Sequence, residues 1–161
     1  MEVQINKVKY DRKAGKVTIE YDQIRNDIDD DIKIVLTSSD TPLPEFIEKL
    51  NALSSHVESI CKLPDGYCSQ AEIRGVSFSH TNDIMGAVIT ALIPIDSANS
   101  PVVINTPHLP SDQYSEGGSS PVLGQKCIFL LKGLMHYAQR YIEGEREKGP
   151  QTEINFDHPK E

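Results

Sequence analysis

Two hydrophobic periods succeed one another along the chain, and their order restricts the fold more than any other feature. Val3 and Ile5, then Val8 and Tyr10, alternate with polar residues, but the phase slips between Ile5 and Val8. A bulged strand, or one that changes face, produces that slip. DRKAGK supplies a turn with Gly15, after which Val17, Ile19 and Tyr21 alternate cleanly. Residues 2–22 therefore read as a β-hairpin. Ile32, Ile34 and Leu36 form a third alternating strand. The period then changes to helical: Leu43, Phe46, Ile47, Leu50, Leu53, Val57 and Ile60 predict one amphipathic helix over about 42–62. Thr41 and Pro42 read as its cap and first turn, and Pro64-Asp65-Gly66 as its stop.

The strand period returns in QAEIRGVSFSH, residues 70–80, with a phase change around Gly75. GAVITALIPI, residues 86–95, is apolar on both faces, as in a strand with neighbours on both sides. The linker HTNDIMG between them suits an antiparallel hairpin. Val102, Val103 and Ile104 make a further short strand. A Pro-, Ser- and Gly-rich connection from Asn105 to Ser120 leads to a second helix marked by Leu123, Cys127, Leu130, Leu131, Leu134, Ala138, Tyr141 and Ile142. Connections of that length tend to be functional or mobile. The order β-β-β-α-β-β-β-α predicts an α+β fold: a mostly antiparallel sheet of five to six strands with two amphipathic helices packed on one face. Residues 1–144 form the single domain in this reading, and 145–161 a flexible charged tail.

Composition narrows the chemistry. With 161 residues, no disulfide or metal staple is needed to bury a core. Cys61, Cys68 and Cys127 form no CxxC pair, which fits a reducing compartment. No apolar run approaches the ~20 residues that span a bilayer, and the first residues lack a signal-peptide core. These features predict a soluble, cytoplasmic protein with no membrane partner. The net charge of -8, from 24 acidic and 16 basic residues, opposes direct nucleic-acid binding, since phosphate backbones are held by clustered Lys and Arg.

Catalytic motifs are incomplete. Asp27, Asp29 and Asp31 fall at alternate positions like the start of a calcium loop, but Ile32 and Ser38 occupy the places that require Gly and Glu. The reading that remains is a solvated turn. The five histidines form no HExxH and have no zinc spacing with cysteine. There is no GxSxG elbow, GxGxxG or GxxxxGK[ST]. No catalytic residue and no cofactor is expected. An enzyme reading would have to pair His108 with an acid such as Asp112 or Glu116.

Two segments carry binding chemistry. In INTPHLP, residues 104–110, a strand delivers Asn105, Thr106 and His108 into a loop stiffened by Pro107 and Pro110. These side chains both donate and accept, so they can read a small polar ligand, such as a nucleotide, or a partner's backbone. Arg74, Ser77 and Ser79 are candidate neighbours. The competing reading is a structural turn in which Asn and Thr satisfy local backbone groups. In QTEINF, residues 151–156, Gln151, Ile154 and Phe156 have the outline of peptides that dock on the bacterial sliding clamp, with Thr152 where Leu is frequent. Alternatively Ile154 and Phe156 pack back on the domain.

The run QAEIRGVSFSHTNDIMGAVITALIPIDSANSPVVINTPHLP, preceded by the KVKYD hairpin, resembles a family of small uncharacterised phage and prophage proteins. The GVSFS strand, the ITAL strand and NSPVVINTPHLP carry the likeness, which extends from about Ile5 into the tail. It implies an accessory protein of a phage early region, acting in the cytoplasm of a bacterial host. The leading expectation is a non-enzymatic protein that inhibits or sequesters a host defence component. The alternative is a replication or recombination accessory recruited to the sliding clamp through QTEINF.

Overall fold

A computed structural model describes residues 2–24 and 31–147. The first hairpin is β1 (Glu2–Asp11) and β2 (Lys16–Ile24), and β3 (Asp31–Ser38) continues it antiparallel. The pairing of β1 with β2 shifts register between Ile5 and Lys7, where the phase of the sequence slips. The extra residue lets Ile5 and Val8 both face the core. A second hairpin, β4 (Glu72–Thr81) and β5 (Ile84–Ile93), closes through Asn82 and Asp83 at φ 53° and 64°. Two consecutive left-handed residues make the tight turn whose twist matches paired strands, and Asn and Asp tolerate it best after Gly. β4 also shifts register, between Ile73 and Gly75.

The chain leaves β3 at the sheet edge and returns to the middle, where β4 pairs antiparallel with β1. β6 (Val102–Asn105) and the two-residue β7 (Leu109–Pro110) both pair with β5, so the order is β3-β2-β1-β4-β5-β6 with β7 beside β5.

The crossing segment is helical in two pieces, α1 (Pro44–Asn51) and α2 (Ser54–Ile60), instead of one helix over 42–62. Its start is also later than expected. Pro44 occupies the first turn, and Leu43 stays extended at ψ 150° because a residue before proline is pushed out of the α region. Thr41 makes no cap; its carbonyl accepts the Glu147 N–H at 2.9 Å. Leu50, Leu53 and Val57 are all buried across the break, so the apolar stripe continues although the hydrogen-bond ladder does not. α3 (Gln125–Ile142) lies against α1 and β1. It ends as helices with glycine commonly do, with Gly144 at φ 101° and the Glu145 N–H returning to the Arg140 carbonyl.

The helices cover one face of the sheet. Ile5, Val8, Val17, Ile19, Ile73, Val76, Ile89 and Ala91 point into that layer and are almost fully buried against Phe46, Leu50, Val57, Leu131 and Leu134. Burial of this aliphatic area is the main stabilising term. The opposite face carries no helix among the described residues.

Candidate functional site

Strand alternation decides what stands on the uncovered face. Since Ile73, Val76 and Phe78 of β4 are buried, Ser77 and Ser79 emerge on the other side. The pairing then sets two cross-strand rows. One runs Lys7, Ser77, Val88; the other runs Lys9, Gly75, Thr90, Asn105. Side chains directly opposite on one face are near neighbours.

His108 lies across a bare stretch of β5. Its Nε2 is 2.7 Å from the Ser79 Oγ. A Cβ on Gly86 would collide with both the His108 ring and the Ser79 hydroxyl, so glycine at that position is what allows the imidazole to reach β4. The ring is exposed, and Ser79 is half-buried. Asn105 is fixed from beside: the Thr90 hydroxyl donates to its Oδ1 at 2.6 Å. With its amide oxygen so engaged, the amide nitrogen remains directed as a donor.

Thr106 does the opposite job. It is buried, its Oγ1 accepts the Ile89 N–H at 2.9 Å, and its own N–H donates to the Ile89 carbonyl at 2.9 Å. The segment after β6 thus splits between the two readings of the sequence. Thr106 satisfies local backbone, whereas Asn105 and His108 stand outward. Asp112, one acid considered for His108, accepts from the Gln113 N–H instead.

Arg74 sits at the β4 register shift and reaches the same face. Its guanidinium lies 3.6 Å from Asp11 and 3.5 Å from Glu72, contacts longer than good hydrogen bonds. The Arg74 Nε and the Glu72 Oε2 are enclosed without a hydrogen-bond partner. Asp11 is held below the ordinary carboxylate range chiefly by the Ala14 N–H, with Arg74, Lys13 and Lys9 adding to it. Arg74 joins Lys7, Lys9, Ser77 and Thr90 around a cleft of about 260 Å³.

Lys7 and Lys9 were not singled out in the sequence. Their polar alternation within β1 is visible, but their place beside Ser77 and Gly75 depends on β1 pairing with β4, contacts across 70 and 66 residues. Of the sequence-derived candidates, Arg74, Ser77, Ser79, Asn105 and His108 share one face, and Thr106 is buried beneath it. Gln151, Ile154 and Phe156 lie outside the described residues, as do Asp27 and Asp29 and the side chain of Asp31.

A second, larger cleft of about 710 Å³ lies between the start of β1, the β4–β5 turn and α3. His80, His136, Lys132 and Glu2 line it, but the His80 Nε2 is engaged with the Ile5 carbonyl at 2.9 Å. Its wall includes Ile24, where the described chain breaks off. Among the described residues there is no cluster of metal-ligating side chains and no helix long and apolar enough to cross a membrane. No family model, curated protein or solved structure matches the chain.

Proposed function

We propose that this protein is a binding module of the phage accessory type, whose uncovered sheet face inhibits or sequesters a component of a bacterial host. The observation that carries the reading is the gathering of outward-facing donors and acceptors on one side of the sheet. Ser77, Ser79, Thr90, Asn105 and His108 come from three strands and one loop and converge on that side. A rigid sheet presents such groups without the entropy cost of ordering a loop at the moment of binding. Ser79 and His108 lie within the reach that a nucleophile and its base require, but the Asp112 carboxylate accepts from a neighbouring backbone N–H instead of orienting the ring, which supports display of polar groups as the reading.

The test is affinity capture from bacterial lysate with purified full-length protein and the variant Ser77→Arg, which places a bulky cation in the centre of the face at an exposed position. Capture of a defined host protein that is lost in Ser77→Arg, with the melting temperature unchanged, is the expected result. Capture that is indifferent to this substitution places the contact elsewhere and removes the reading. A parallel truncation after Gly149 tests the sliding-clamp alternative, because it removes Gln151, Ile154 and Phe156 and keeps every residue of the sheet face. Selective loss of a clamp protein on truncation would make recruitment to the replication machinery the function.

A further inference from the structure

We infer that the cleft between β1, β4 and β5 binds a small nucleotide, a nucleoside monophosphate in size, with its phosphate among Lys7, Lys9 and Arg74. This deepens the binding reading and rests on the same uncovered face. A chain with net charge -8 has no general tendency to attract anions, so three cations gathered at one place need a local cause. Two of them stand on alternate positions of β1, and the third enters from β4 through the register shift next to Gly75. Gly75 has no side chain, and a Cβ there would strike the Val8 carbonyl oxygen. β1 and β4 therefore approach closely, which brings the lysines of one strand beside the arginine of the other.

The neighbouring carboxylates pair with Arg74 but make no close hydrogen bond to it. Asp11 accepts the Ala14 N–H through Oδ1 and touches Arg74 only at 3.6 Å. Glu72 lies 3.5 Å from the Arg74 Nε without a hydrogen bond forming. Glu20 stands opposite Lys7 in the β1–β2 register, so three carboxylates balance the three cations, but neither carboxylate that touches Arg74 comes closer than 3.5 Å, and a phosphate oxygen can make shorter, charge-assisted contacts than these. Lys7 and Lys9 make no ion pair within 4 Å among the described residues.

The remaining lining gives the ligand its other end. Leu92 and Val103 face each other across β5 and β6 and close the cleft on its apolar side; Val103 is 56% exposed. An uncharged planar ring can lie on them and cover that surface. Between the charged and apolar ends stand the Ser77 and Thr90 hydroxyls, at the level where a sugar would be. The volume of about 260 Å³ is slightly below the usual range for drug-sized ligands, which suits one nucleotide.

The experiment is calorimetric titration of the full chain with AMP, GMP, CMP and UMP, with inorganic phosphate and adenosine as partial ligands. At least one nucleotide should saturate a single site, with inorganic phosphate and adenosine each weaker by about tenfold or more. The double variant Lys7→Ala/Lys9→Ala should lose about tenfold in affinity with an unchanged melting curve, because neither lysine is buried. Val103→Glu, at the exposed apolar end, should weaken nucleotides more than inorganic phosphate. Absence of saturable nucleotide binding overturns the inference, and so does binding that the lysine and Val103 variants leave unchanged. Either result leaves the broader binding reading standing if the host protein is still captured, so the two fail separately.

Discussion

Gly86 and His108 are matched as a pair of residues: the imidazole fills the place that any side chain on Gly86 would need. A methyl group at position 86 has to push the ring off the strand or push β5 away from β4. Gly86→Ala is therefore expected to destabilise by about 0.5–1.5 kcal/mol, the worth of the Ser79–His108 hydrogen bond that breaks when the exposed ring turns away. In a His108→Ala background the same change should cost clearly less, since one of its two obstacles has gone and only the Ser79 hydroxyl remains. Thermal melts of the four proteins of this cycle measure the coupling; equal costs in both backgrounds would show that the ring does not hold this position in solution. The sequence displayed His108 and Ser79 as candidates but not their contact. Residues 29 apart meet here because β4 and β5 form a hairpin and the chain after β6 returns beside β5, and alternation along one strand is silent about such returns. Thr106 was ambiguous for a different reason. Its hydroxyl serves a ligand or a neighbouring backbone equally well, and burial against Ile89 decides between them.

At the scale of elements, periodicity was a good guide wherever a single face had to be buried. Both phase slips, near Ile5 and near Gly75, correspond to register shifts, because a strand that adds one residue must otherwise turn its apolar side to water. The division of the first helical segment was not legible, since Leu50, Leu53 and Val57 keep their spacing through it. The later start was legible in principle: two prolines at 42 and 44 leave no α-conformation for the residue between them. α3, the longest helix described, places Cys127 against the core, and burial pushes its thiol up to about 11. In the unfolded chain a thiol ionises near its ordinary value of about 8.5. Above that pH the unfolded state loses the proton first, so it binds fewer protons than the folded state and stability falls as pH rises. The contribution is complete below about pH 8 and is lost progressively toward pH 11. Denaturant melts between those values should show a decline that Cys127→Ala makes shallower. Tyr141, whose phenol is also raised by burial, adds a component of the same sign that this substitution leaves in place. An identical slope in the alanine variant would show that the Cys127 thiolate is not excluded by the fold.

For the whole molecule, the question is where the domain stops. Loss of periodicity after Gly144 suggests a tail from residue 145, but charge and periodicity do not register a residue that is held by its backbone and by one aromatic ring. Arg146 places its guanidinium 4.1 Å from the centre of the Tyr141 ring, donates from Nε to the Tyr141 carbonyl at 3.0 Å and pairs with Asp40 at 2.8 Å. Tyr141 in turn donates its hydroxyl to the Asp40 carbonyl at 2.6 Å, and the Glu147 N–H reaches the Thr41 carbonyl. These contacts join the end of α3 to the segment that leaves β3, so residues 145–147 fasten the last helix to the sheet edge. The cation over the ring and the partly enclosed hydrogen bonds together stabilise by about 1–3 kcal/mol. A chain ending at Gly149 keeps all of them and serves as the reference. A chain ending at Gly144 loses all of them but the Tyr141–Asp40 hydrogen bond and should melt about 3–8 °C lower. Arg146→Ala in the reference chain should account for the larger part of that difference. If all three melt alike, the strap does not bear on stability. In that case any effect of deleting the last residues on partner capture belongs to recognition alone.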